Sequence, residues 1–186
     1  MNKIKSTLII GVILATALPL MAQRKRISPH ETISSAIDGN KVTIVYGRPY
    51  SKDPKSGEVR KIWGGLVPYG KVWRTGADEA TLLTTAQPIM MGGTTVPAGT
   101  YSLFTLPAAD GTAKLIVNKK TGQWGIPYKE QSEATNELAR IDLKKAALDK
   151  TVDQFTMAID KNPSGGGVLK MMWENTQFSV PFTVKK

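Results

Sequence analysis

Past its leader-like start the chain never runs far before glycine or proline interrupts it, and this punctuation limits what it can fold into more than any other feature. Its 17 glycines and 11 prolines separate short apolar runs, none long and periodic enough for an amphipathic helix. Where the runs show a period, it is two. Over 41–48, Val42, Ile44 and Tyr46 alternate with Lys41, Thr43 and Val45, the pattern of a strand with one buried face. Residues 81–85 and 113–117 read as further strands. Residues 88–91 and 94–96 flank Gly92-Gly93, a hairpin whose glycines accept the positive φ of a tight primed turn. Beyond Pro97-Ala98-Gly99 the alternation resumes over 100–106, then over 138–143 and 152–159. Residues 168–173 and 176–184 read as a closing hairpin joined at Glu174-Asn175. The polar stretches 23–35, 51–60 and 123–137 read as lead-in and loops, the last with one helical turn near 130–136. The whole predicts an all-β, single-domain antiparallel β-sandwich, jelly-roll-like in form.

The amino terminus is of another kind. Lys3 and Lys5 precede an uncharged, largely aliphatic run that ends at Ala22, the layout of a secretory signal peptide cleaved there. Pro19 and Thr16 interrupt the run, which is short of the roughly 20 apolar residues a membrane span needs. Arg24, Lys25 and Arg26 follow directly, a positive cluster that works against translocation. The expected organisation is a leader over 1–22 and one domain over 23–186, with no membrane span after cleavage. This places the protein outside the cytoplasm, in the periplasm first and the exterior second.

The chain has no cysteine, so neither a lipid anchor on cysteine nor a disulfide framework is available, and an ordinary core must hold it together. Its net charge is +10, of which Lys3 and Lys5 belong to the leader. A basic exported protein attracts anionic glycans, lipid headgroups and small anions. Nucleic acid is not expected as a partner, since no RNP, helix-turn-helix or zinc pattern is present. The basic residues come in short pairs along the chain, which also suits plain surface solvation.

Chemistry concentrates in 62–80, where glycines crowd beside Trp63, Tyr69 and Trp73. That composition is a structured loop on a rigid scaffold. Trp73, Arg74, Asp78, Glu79 and Thr81, joined by Arg48 and His30, form the candidate ligand-binding set. A guanidinium takes carboxylate, phosphate or sulfate in two-point geometry, and an indole face accepts a sugar ring or a cation. The same residues also suit a clasp in which Arg48 and Arg74 pair with Asp78 and Glu79 to pin the loop. Asp78 and Glu79 as an acid/base pair would need a bent loop, because neighbours on a strand point to opposite faces.

No metal set and no cofactor is assigned. His30 is the one histidine, which excludes multi-histidine centres, and thiolate sites are absent; a single-ion site from His30 and distant carboxylates is the arrangement left open. A serine triad is excluded by the lack of a Gly-x-Ser-x-Gly elbow. Met90-Met91 and Met171-Met172 read as core filler rather than copper ligands, and Trp63, Trp124 and Trp173 as core or loop plugs.

Ser28-Pro29-His30-Glu31, Tyr46-Gly47-Arg48-Pro49, Gly65-Leu66-Val67-Pro68-Tyr69-Gly70, Val72-Trp73-Arg74-Thr75-Gly76-Ala77-Asp78-Glu79-Ala80-Thr81, Pro97-Ala98-Gly99-Thr100-Tyr101-Ser102-Leu103-Phe104 and Gly122-Gln123-Trp124-Gly125 form a set of strings. Together they resemble the DUF2911 family of exported proteins, common in Bacteroidetes and of unknown function. The resemblance spans the chain beyond the leader. Many members carry Asn where this chain has Asp78, and the loop 51–60 is longer than the family's usual connection. The expected function is a non-catalytic envelope module for a carbohydrate or anionic ligand. The alternatives are an enzyme using Glu79 or Asp78 as acid/base, and a structural or assembly protein.

Overall fold

A computed structural model of the protein describes residues 26–124, 128 and 134–185; the expected leader lies outside them. Ten strands carry the fold: β1 His30–Ile37, β2 Asn40–Gly47, β3 Thr81–Thr85, β4 Ile89–Met91, β5 Thr94–Val96, β6 Gly99–Pro107, β7 Ala113–Asn118, β8 Glu137–Asp142, β9 Lys144–Lys161 and β10 Gly167–Val184. A 3₁₀ turn, Ala134–Asn136, precedes β8. They form an antiparallel six-stranded sheet, β1-β2-β3-β6-β7-β8, and a four-stranded sheet, β5-β4-β10-β9. The all-β sandwich is therefore the architecture. The chain changes sheet at β3/β4, β5/β6 and β8/β9.

Alternation explains the packing. Val42, Ile44 and Tyr46 of β2 are buried to within 1% of complete, while Lys41 and Val45 face solvent. They meet Phe155, Met157, Leu169, Met171 and Trp173 of the second sheet in one apolar cluster. Apolar area removed from water contributes about 25 cal/mol per Å², and this shared interior is where most of it is lost to solvent. Met91 and Met171 point inward and Met90 outward, as core filling requires.

Three local expectations change. Residues 30–37 are a strand, not polar lead-in: they pair with β2 along its whole length, from His30 opposite Gly47 to Ile37 opposite Asn40. An edge strand needs little apolar content, and the signal for it is Asp38-Gly39, both at positive φ, the turn a two-residue hairpin demands. Strand β9 starts at Lys144, eight residues before the alternation becomes visible. Finally, 168–173 and 176–184 are one strand, β10, whose two halves both pair with β9 through register shifts around Glu174. Glu174 has φ 52°, so it marks a bulge rather than a turn.

Candidate functional site

The segment 72–80 runs across one end of the sandwich. Trp73 exchanges two backbone hydrogen bonds with Thr105 of β6, each 2.8 Å, and Thr81 N–H donates to the Arg74 carbonyl at 3.1 Å, closing the loop. Within it Thr75 and Asp78 have φ of 57° and 63°, left-handed values that Asp and Asn tolerate better than most residues. The type of residue at 78 is thus restricted by the backbone as well as by chemistry. Gly76 lies against the backbone of Gly47, and a Cβ there would come within 2.8 Å of the Gly47 carbonyl oxygen. The Tyr46–Pro49 and Trp73–Thr81 strings, distant in sequence, meet at this contact.

The bend at Asp78 brings both carboxylates to the same imidazole. His30 Nε2 lies 3.1 Å from Asp78 Oδ2 and 3.5 Å from Glu79 Oε2. The strand argument that would send them to opposite faces does not apply, because 78–79 is not in a strand. Arg26 completes the group, donating to His30 Nδ1 at 2.6 Å and to Glu79 Oε1 at 2.5 Å. Exposed Trp124 sits beside them through a bridge to Glu79.

Next to this cluster opens a cleft of about 780 Å³. One wall is the loop 51–60, contributing Asp53, Lys55 and Arg60; the other is Leu66, Pro68, Lys71 and Arg74, with Asp78, Tyr128, Trp73 and Trp173 also lining it. Trp73 stacks on Trp173 at 5.9 Å and 24°, and both meet Phe155 edge-on. Such contacts hold the aromatic side of the cleft rigid. Burial pushes the Arg74 guanidinium below its ordinary value, with Asp78 opposing the shift; the group stays charged. Among the described residues the Nε atoms of Arg60 and Arg74 and the indole N–H of fully buried Trp173 have no hydrogen-bond partner, whereas buried donors are paired in the great majority of cases.

Of the seven residues singled out from sequence, Trp73, Arg74 and Asp78 line the cleft, and His30 and Glu79 share the neighbouring cluster with Asp78. Arg48 and Thr81 lie elsewhere. Arg48 pairs with Glu31 at 3.2 Å and donates to the Phe155 carbonyl and Thr156 Oγ1, tying β2 to β9. Thr81 is fully buried and donates to the Thr75 carbonyl at 2.6 Å. Arg26, Arg60, Lys71 and Trp173 were not anticipated. Their residue types gave a hint for the cations, but Trp173 reads as core from its strand, and it is core that also borders the cleft.

Fold and site together define an antiparallel β-sandwich carrying, at one end, a cationic cleft lined by stacked tryptophans. The protein-family model described as "Protein of unknown function (DUF2911)" matches residues 28–182, and the chain belongs to that family. No curated protein and no solved structure matches it. Among the described residues no helix is long and apolar enough to cross a membrane.

Proposed function

We propose that the protein is a non-catalytic binding module for a small anionic ligand, an acidic sugar or a phosphorylated, sulfated or carboxylated compound, held in the cleft. The observation that carries this is the basic lining of one cavity, to which Lys55, Arg60, Lys71 and Arg74 contribute. An anion suits such a lining, because charge-assisted bonds to guanidinium are about twice as strong as neutral ones. Trp73 supplies an apolar surface for the body of the ligand. The leader-like residues 1–22 support export, with the periplasm as the destination.

The test is a thermal-shift screen with acidic sugars and phosphorylated compounds against their uncharged counterparts. A ligand that binds only the folded state raises Tm, by about 2.7 kcal/mol of stability at a hundred times Kd. Charged members are expected to raise Tm and neutral ones not. Arg74→Ala abolishes the shift and Arg74→Lys weakens it, while Arg48→Ala lowers Tm with the ligand shift intact. If no anion raises Tm, or if Arg74→Ala binds as well as wild type, the reading fails.

A further inference from the structure

Beside the anion cleft, His30, Asp78 and Glu79 each offer one ligand atom, and these atoms all lie within 4.8 Å of one another. We propose that they hold a first-row divalent ion, Zn²⁺ or Mn²⁺, for which the guanidinium of Arg26 is the built-in competitor.

The spacing is the first support. An ion with bonds of about 2.0–2.2 Å in tetrahedral geometry sets its ligand atoms roughly 3.3–3.6 Å apart. His30 Nε2 is 3.1 Å from Asp78 Oδ2 and 3.5 Å from Glu79 Oε2, so closing the set on an ion takes shifts of a few tenths of an ångström on these two edges. The second support is Glu79 Oε2 itself. This oxygen is buried and accepts no hydrogen bond from the described residues, although it faces an imidazole nitrogen, and a buried carboxylate oxygen without a donor calls for a cation.

Arg26 already answers part of that demand, from the other side. It donates to His30 Nδ1 and Glu79 Oε1, which puts the ring hydrogen on Nε2, where it is donated to Asp78 Oδ2. An ion bound at Nε2 requires the opposite tautomer, with the hydrogen on Nδ1. The Nδ1 hydrogen and the guanidinium would then be two donors face to face, so Arg26 must leave. Its side chain is 41% exposed and can swing into water. Ion and guanidinium are thus mutually exclusive occupants of one negatively charged site.

One imidazole nitrogen with two carboxylate oxygens favours Zn²⁺ or Mn²⁺ over Mg²⁺ and Ca²⁺, which prefer all-oxygen surroundings. Three protein ligands leave coordination positions open. Asp78 is shared with the cleft, which couples an ion here to whatever the cleft binds.

The experiment is calorimetric titration of the chelator-treated protein with ZnCl₂ or MnCl₂ alone, with MgCl₂ as control and no anion present. One ion per chain is expected. His30→Gln, Asp78→Asn and Glu79→Gln each weaken binding by at least about tenfold, and Arg26→Gln tightens it several-fold by removing the competing charge. Melting curves confirm that each variant is folded. Failure of the wild type to take up either ion, or uptake unchanged in His30→Gln and Glu79→Gln, overturns the site; unchanged affinity in Arg26→Gln overturns the competition. Anion binding measured in the presence of chelator tests the cleft separately, so one result can fail without the other.

Discussion

A methyl group on Gly47 would sit 2.3 Å from the carbonyl oxygen of Ala77 and 3.0 Å from His30 Nε2. The nearest of these atoms is backbone, so the clash cannot be relieved by a rotamer change. Gly47→Ala should cost about 1–3 kcal/mol, read as a lower midpoint in urea. It should also loosen the site, because the displaced element is the loop that carries Asp78. An Ala variant with wild-type stability would mean that the 72–80 segment is free to move off β2. Such a close approach cannot be seen in the string Tyr46-Gly47-Arg48-Pro49, where glycine reads as an ordinary strand end. Arg48 shows the same limit from another direction. Its chemistry suits an anion site, but its position gives it Glu31 and the backbone of β9 as partners.

At the scale of elements, β10 is the instructive case. Glu174 at φ 52° interrupts the ladder between Met172 and Thr176, and a polar Glu-Asn pair between apolar runs has the composition of a hairpin turn. What keeps the chain going straight is β9, long enough to pair with both halves. The bulge gives an inverted substitution series. Glu174→Gly should stay within about 0.5 kcal/mol of wild type, since relief of the left-handed strain offsets the entropy glycine loses. Glu174→Val, favourable in an ordinary strand, should cost about 1–2 kcal/mol here. Thermal melts of the pair decide it, and a stabilising Val would show regular strand at 174. Elements with their own turn chemistry were legible: Gly92-Gly93 has φ of 55° and 80° and joins β4 to β5 as its sequence requires. Strands β1 and the first half of β9 were not, because their pairing partners, rather than their own alternation, define them.

Across the whole molecule, Tyr46 joins the two sheets. Its hydroxyl donates to Glu31 Oε2 at 2.7 Å and accepts from the Met157 N–H of β9 at 3.0 Å. Burial, foremost, and the Glu31 carboxylate push its pKa up to about 12, against the Met157 hydrogen bond and Arg48. A folded-state pKa raised above the unfolded 10.0 means that the neutral phenol is the stabilising form. Its contribution is complete below pH 10 and is lost as pH rises from there through about 12. Melting temperature should therefore fall over that alkaline window, and Tyr46→Phe should flatten the fall while lowering Tm at neutral pH. An identical alkaline profile in both proteins would remove Tyr46 from the account. The sequence by itself determined the class of fold, because period-two burial and glycine-proline punctuation act locally and leave few architectures open. It also singled out the 73–81 string as the candidate site. Only the tertiary structure decided which arginines face the cleft, that a left-handed residue turns Asp78 and Glu79 toward one histidine, and that Arg26 sits against them. Those outcomes depend on contacts between segments tens of residues apart, and burial and pairing at that range follow from the packed chain rather than from any stretch of it.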